Sequence, residues 1–500
     1  MERGSERRAK SILPMTHSTH GASWRDLPEM GVGLVYMAGL GPAIAEASDA
    51  LDFIEVEPQQ HWLRRTRGRR EFRLDYAAFE IIRQLRKPCL IHSVGCPIGG
   101  TFNLLDQQAA MLRESVAALD PPWVSEHLSF TQFQHAGAQH HASFLLPPLP
   151  CAASVASAVR AIAALRGVVS RPVAFETGVN YLRAQPGEWT DGRFVREVAE
   201  QADCAIVLDL HNAWANARNG RQPLDAFLDE LPLERVVEMH LAGGELLDGY
   251  WLDAHSGLTP PELMRLAIEL VPRLPRLRAI TFEMMDQAMA SGACDPARLH
   301  AHLIDLQCLW STRGSWVSSQ FDHVHDEPAA SSTWSRLPTP EAWEDTLGAL
   351  VIGIDEPIAA TQDPALTRRL LADPGLAILR TLIEAVRAGS MVDVLRLSTR
   401  LLVLARGREF LAECFAGFWR GSSPQPIATD EAIRFCEYLL ALRIEVPGLD
   451  DILRLEMATC RAVGDGIPVE VVLDRDPAPL IAAIERGELP RSLAVRSAVA

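Results

Sequence analysis

Five hundred residues, 48% of them hydrophobic, exceed one ordinary core, so two domains or more are expected. A formal net charge of −16 argues against a protein whose main task is to grip phosphate backbones, because that affinity needs clustered Lys and Arg. Nine scattered cysteines with no CxxC pair exclude a disulfide framework and fit a reducing cytoplasm.

The chain opens MERGSERRAKSILPMTHSTHGAS, basic and polar and without an apolar signal core. Residues 1–29 are expected to form a disordered leader. No apolar run reaches membrane-spanning length, so a cytoplasmic protein with no membrane partner is expected.

Eight short apolar runs follow: GVGLVYM (31–37), DFIEVEP (52–58), CLIHSVG (89–95), WVSEHLSF (123–130), RPVAFETG (171–178), AIVLDLHN (205–212), VVEMHLAG (236–243) and AITFEMMD (279–286). Segments such as ASVASAVRAIAALRGV lie between them, with apolar residues at helical spacing. Strands alternating with helices imply a parallel sheet. Eight such units between 30 and 312 predict a TIM (β/α)8 barrel. The doubly wound alternative lacks a GxGxxG after its first strand.

From 313 to 338 the chain is rich in Ser, Pro, His and Asp and reads as a linker. Residues 339–500 are helical in pattern almost throughout, apart from a strand-like PVEVVLD (468–474). The fold class is therefore α/β, a TIM barrel followed by a mainly α-helical C-terminal domain.

In such a barrel, chemistry sits at the C-terminal ends of the strands. Here those ends carry His92, then Glu126 and His127, then Glu176, then Asp209 and Asn212, then Glu238 and His240. Asp253 and His255 follow in a loop, and Glu283 ends the eighth run. A single His or Glu at a strand end is ordinarily a hydrogen-bonded structural group. Several charges buried in one mouth without cations would be very costly, and divalent metals supply the missing positive charge. Imidazole with carboxylate suits iron, zinc or manganese. Nine ligand candidates exceed one ion, so two or three metals are expected, with Glu176 and Glu283 able to bridge.

The anchors IHSVG, VSEHLSF, FETG, VLDLHN, EMHLAGG, LDAHSG and TFEMMD, in this order, resemble the multinuclear non-heme iron-dependent oxidative enzymes of the methanobactin-biosynthesis type. The resemblance spans roughly residues 31–310. It implies a barrel holding two or three iron ions that use dioxygen to modify a ribosomally made peptide, at cysteine or another residue. Carried over residue by residue, the ligands are His92, His127, Glu176, Asp209, Asn212, His240, Asp253, His255 and Glu283. Glu126, Glu238 and Asp286 are candidates for orienting the ligating imidazoles. Two departures stand out. Many members have a His-Ser-Glu-Asn run after the second strand, where this chain has EVEPQQHW with Glu57 and His61. Many also carry a His four residues after the one in EMHLAGG, where this chain has Gly244. The same ligand order is similar to the zinc-dependent apurinic endonuclease barrels, with Asn212 where that family has His, and to sugar isomerases. Both remain open at this point, as does a binding protein whose barrel is inactive.

The tail AECFAGFWRGSSPQPIATDEAIRFCEYLLA with VPGLDDILRLEMA resembles the end of the small partner proteins that accompany these iron enzymes and recognise a precursor peptide. The alternative is a helical bundle in which Phe415, Phe418 and Trp419 pack the core. Two further motifs have mainly structural readings. QHAGAQHH (134–141) reads as a loop with solvated histidines that could line an entrance. RRTRGRR (64–70) reads as a solvated surface, with an acidic peptide as the other option.

Overall fold

The computed structural model describes residues 23–68, 71–102, 106–314, 337–354, 361–490 and 498–499. The expected leader lies outside them up to residue 22, and the expected linker lies outside them from 315 to 336.

All eight runs form strands: β1 Gly31–Val35, β2 Phe53–Val56, β3 Cys89–Ser93, β4 Val124–His127, β5 Val173–Glu176, β6 Ala205–Asp209, β7 Val236–Ala242 and β8 Ala279–Glu283. They pair in parallel in chain order, and β8 closes on β1 through Gly31↔Ala279. Successive side chains point to opposite faces of a strand. Ile54, Ile91, Phe175, Leu208 and Phe282 therefore meet the surrounding helices. Phe53, Leu90, Ala174, Val207 and Ala279 form a separate inner cluster with Trp24, Leu27 and Trp123. That cluster closes the N-terminal end of the barrel. Further along the same inward rows come Glu55, His92, Glu176, Asp209 and Glu283, so the interior changes character within two to four residues.

The helix Ala152–Val169 is, by length and composition, apolar enough to cross a membrane, against the expectation that no run is. Here it packs Val155, Ala158, Ile162, Leu165 and Val169 against the barrel sheet.

Three hairpins stand on the C-terminal rim: Trp62–Arg64 with Phe72–Leu74, Phe130–His135 with Ala138–Leu146, and Glu245–Leu247 with Tyr250–Leu252. The second corrects the loop reading of QHAGAQHH. Ala136 and Gly137 have φ of 49° and 79°, the positive values a two-residue hairpin turn demands. Its histidines are not a solvated cluster. His135 Nδ1 lies 2.6 Å from Asp345, the His140 ring stacks on Phe133, and burial depresses the His141 imidazole to about 4.

The C-terminal region forms helices Pro340–Val351, Pro364–Leu371, Pro374–Val394, Arg396–Arg406, Arg408–Trp419, Ala428–Leu442, Leu449–Asp465 and Pro477–Glu485. Four of them start alike, with Pro at the first turn behind a capping side chain: Thr339, Asp363, Asp373 and Asp476 each accept from backbone N–H groups. The strand-like PVEVVLD contributes only Val472–Leu473.

The first three of these helices share a core with the barrel rim, in which Trp343, Leu347, Leu366, Leu376 and Ile383 pack with Phe130, Phe133, Leu146 and Tyr181. Gly348 lies so close to the Phe133 ring that a Cβ would sit 2.4 Å from it. The later helices build their own core around Leu401, Phe415, Phe418, Phe435 and Leu453, with Trp419 stacked on Phe415. They are tied back to the first hairpin. Thr66 Oγ1 donates to Asp465 at 2.6 Å, Thr66 N does so at 2.7 Å, and Arg64 pairs with Asp430 at 2.7 Å. The basic run around Arg64, as far as it is described, thus docks the helical region through Arg64 and Thr66, while Arg67 is exposed.

Candidate metal centre

His127, Glu176, Asp209 and Glu283 are the last residues of β4, β5, β6 and β8, and His92 and His240 face inward from β3 and β7. Asp209 also caps the helix Leu210–Arg218, where its Oδ1 accepts from Asn212 N at 2.8 Å. That cap swings Asn212 under the same mouth. Asp253 and His255 arrive after the third hairpin. His255 has φ of 47°, a left-handed conformation that costs about 1–2 kcal/mol in a residue with a Cβ. Its carbonyl accepts from Met285 N at 2.9 Å, which ties the loop to the end of β8.

All nine predicted residues meet in one contiguous cluster. His92 Nε2 is 3.0 Å from His127 Nε2 and 3.1 Å from Glu176 Oε2, and His127 Nδ1 is 2.5 Å from the same oxygen. Asn212 Nδ2 lies 3.5 Å from Glu176 Oε1. His240 Nδ1 is 3.4 Å from Glu283 Oε1, and His255 Nε2 is 3.4 Å from Glu283 Oε2 and 2.8 Å from Asp253 Oδ1. One potential ligand atom each from Glu176, Asp209, His240 and Glu283 fall within 4.8 Å of one another, and so do those of His92, His127 and Glu176. Glu176 belongs to both groups.

Two observations separate this cluster from a hydrogen-bonded structural one. Buried polar atoms almost always have partners, yet Glu176 Oε2, Asp209 Oδ2, Asn212 Oδ1, both His240 nitrogens, Asp253 Oδ1, His255 Nε2 and Glu283 Oε2 are buried without a well-aligned hydrogen bond, the close imidazole–carboxylate contacts above being out of hydrogen-bonding geometry. Among the described residues, no Lys or Arg pairs with these carboxylates; their ion-pair neighbours are imidazoles. The electrostatics agree. Burial alone would lower His92, but Glu176 and Glu55 hold it at about 10. His240 and His255 are likewise held above the ordinary range by the carboxylates around them. Asp209 is pushed well up by burial and by Asp253, Glu176 and Glu283. The cage draws in positive charge, and protons compete with a cation for it.

The three candidates for orienting imidazoles differ in placement. Glu238 accepts from Trp123 Nε1 at 2.9 Å and Thr281 Oγ1 at 2.8 Å, and lies 3.6 Å from His240 Nε2. Glu126 instead accepts from Ser93 Oγ, Cys96 N and His127 N. It fixes backbone and a hydroxyl, while Ser125 Oγ holds His92 Nδ1 at 2.8 Å. Asp286 lies against Gly39 and, among the described residues, has no hydrogen bond or ion pair with an imidazole.

Two members of the cluster were missed from sequence. Glu55 is fully buried with both oxygens unpartnered, 3.4 Å from His240 Nε2; burial and Glu238 push its carboxyl to about 8. A Glu flanked by Ile and Val inside the second run was the available signal. His211 is fully buried, with neither nitrogen hydrogen-bonded and Nδ1 3.6 Å from Asp253 Oδ1. Of the pair read as a departure, His61 is set between Tyr36 and Phe79, and Glu57 faces a cavity.

That cavity, about 580 Å³, opens from the cluster at His127, Asn212 and Asp253. Its walls include Phe144 and His141 of the second hairpin and Val386, Arg387, Gln425 and Glu431 of the helical region. The two sides touch where Ser143 Oγ donates to Gln425 O at 2.8 Å. Arg387 is held by Glu431 at 2.8 Å and lies over the Trp419 ring.

Fold and site together define a TIM-barrel protein with a buried imidazole–carboxylate cluster fit to hold metal at its mouth. The family model described as RiPP precursor modification enzyme MbnB/TglH/ChrH matches residues 31–290, just over half of the chain. The chain belongs to that family. It is 32% identical over 193 residues to a UPF0276 protein of Anaeromyxobacter sp. (strain Fw109-5), covering 39% of this chain and 67% of the relative. It is 28% identical over 217 residues to a UPF0276 protein of Chromobacterium violaceum, covering 43% of this chain and 77% of the relative. Among solved structures it is similar to endonuclease IV from Thermus thermophilus, with 19% identity, TM-score 0.35, and 56% and 99% of the two chains covered. It is also similar to D-psicose 3-epimerase from Clostridium cellulolyticum, with 8% identity, TM-score 0.36, and 56% and 97% covered.

Proposed function

We propose that this protein is an iron-dependent oxidoreductase that uses dioxygen to modify a ribosomally made peptide, at cysteine, with two or three irons at the barrel mouth. The observation that carries the reading is the set of orphaned buried atoms on five strands, one helix and one loop, which fits a multinuclear cation site and no protein counter-charge. His92, His127, Glu176, Asp209, Asn212, His240, Asp253, His255 and Glu283 would hold the metal. When bound, iron supplies a Lewis-acidic, redox-active site for thiolate and dioxygen.

The chain's own residues do the rest. Ser125 fixes the His92 imidazole, and Glu238 lies 3.6 Å from His240 Nε2. Val386, Arg387 and Gln425 form part of the wall of the cavity through which a peptide segment would reach the cluster. In this reading the helical region takes the place of a separate peptide-binding partner, and fusion raises the local concentration of bound peptide. A groove of about 750 Å³ supports that role. Val392, Val403, Leu404 and Phe415 line it, and Arg396, Arg400 and Arg408 flank it. Its chemistry suits an acidic amphipathic segment of the peptide. Ala388 and Val392 on one side of helix Pro374–Val394 face this groove, while Val386 and Ser390 on another face the cavity.

The test is metal analysis after anaerobic purification, followed by oxygen uptake and mass spectrometry with short cysteine-bearing peptides sought in the reading frames beside the gene. Iron with peptide-dependent oxygen consumption is expected. Tightly held zinc with phosphodiester cleavage would replace the proposal with the hydrolase reading.

A further inference from the structure

We infer that His211 is a metal ligand of this chain, acting with Asp253 and His255 in the space that Gly244 leaves open. The inference deepens the metal-centre reading above and rests on it.

His211 follows β6 by two residues, inside the first turn of helix Leu210–Arg218. The Asp209 cap that brings Asn212 to the mouth fixes the turn on which His211 sits. Its ring is wholly buried, and neither nitrogen has a hydrogen-bond partner. A buried neutral imidazole owes one donor and one acceptor contact, so two orphaned nitrogens are a large deficit unless something else takes a lone pair. The nearest charged atom is Asp253 Oδ1, 3.6 Å from Nδ1, and that oxygen is itself 2.8 Å from His255 Nε2. Two imidazoles thus converge on one carboxylate, and the Asp253 Oδ1–His255 Nε2 contact is itself out of hydrogen-bonding geometry, as a shared cation would leave it.

Gly244 makes the placement possible. A Cβ there would stand 2.4 Å from His211 Nε2 and 2.4 Å from Leu252 O, so no side chain can occupy position 244 while His211 holds this pose. The ring occupies the room that any residue at 244 would need. On the far side, the His211 ring lies 5.9 Å from that of Trp214, which limits its escape.

The experiment is anaerobic titration of the apo-protein with Co(II), read by its visible absorption and by metal analysis, in the wild type, His211→Asn and His211→Phe. Cobalt reads ligation without dioxygen or peptide, so failure here is separate from failure of the oxidase reading. Loss of one metal equivalent is expected in His211→Asn, with the others retained. His211→Phe, which keeps a packed ring but offers no lone pair, loses the same equivalent. A full complement with an unchanged titration in His211→Asn would make the ring a packing group and overturn the assignment. Simultaneous loss of every equivalent from a protein with unchanged circular dichroism would overturn it as well.

Discussion

Phe53 and Glu55 lie two residues apart on β2, face the same way, and are both fully buried, yet they stand in opposite physical regimes. The same is true of Leu90 and His92, Ala174 and Glu176, and Val207 and Asp209. The lower layer is an ordinary core and stabilises the barrel by leaving water. The upper layer gathers ionisable groups, several of whose polar atoms lack hydrogen-bond partners. Burial of that kind opposes folding unless a cation is taken up. One scaffold therefore separates stability from chemistry by a single step of the pleat.

The largest expected effect breaks the upper layer. We predict that His127→Ala loses most of the bound metal and all peptide modification, measured by metal analysis and mass spectrometry, while circular dichroism is unchanged. Asp209→Asn should also bind less metal. The Asn retains an oxygen to cap Asn212 but removes a charge that burial and three neighbouring carboxylates disfavour. Its apo form should unfold at the same or a higher temperature than the wild-type apo form. Full metal occupancy in both variants would remove the basis for the centre.

The lower layer should respond the other way. Phe53→Ala is expected to cost about 3–5 kcal/mol of stability, the range for emptying an aromatic site in a packed core. Metal bound per folded molecule should stay the same, since Phe53 contacts the inner apolar cluster. Urea unfolding with parallel metal analysis separates the two. A stable Phe53→Ala protein with depleted metal would erase the distinction between layers.

How much of this was legible beforehand follows the same division. The eight strands were readable because burial on both faces makes each an almost continuous apolar run. The imidazoles and carboxylates at strand ends were readable because a charge closing such a run is conspicuous. Glu55 was hidden by its neighbours, sitting one residue inside a run whose flanking acids, Asp52 and Glu57, drew attention to the ends. His211 was hidden by the helix that starts at Leu210: its direction depends on the Asp209 cap, and its room depends on Gly244, which is far away in sequence. The hairpin Phe130–Leu146 was missed because a helix-bearing barrel unit sets no expectation of strands between β4 and its helix. The basic run at Arg64 needed its partners, Asp430 and Asp465, which lie far along the chain in the helical region.

The smallest expected effect tests whether the helical region belongs to the upper layer or merely rests on it. Glu344, on helix Pro340–Val351, is buried against the loop after β3. It accepts from Thr101 N at 2.9 Å and Thr101 Oγ1 at 2.5 Å. Burial raises its carboxyl from the ordinary 4.5 to about 7, against the lowering effect of the Thr101 bonds. The fold therefore favours the neutral acid. Its contribution is fully present below pH 4.5 and is lost as pH rises through 7, by about 1–3 kcal/mol in total. Glu344→Gln keeps the neutral form at every pH and offers Thr101 similar partners. The difference in unfolding midpoint between variant and wild type should be near zero at pH 4.5, grow in the variant's favour as pH rises towards 7, and level off above it. If local opening at this contact precedes global unfolding, amide exchange in 340–351 should carry the same pH dependence while exchange in β5 and β6 does not. A pH-independent difference would mean that water reaches Glu344 in the folded protein, and that the helical region covers the mouth less tightly than its shared core with Phe130 and Phe133 implies.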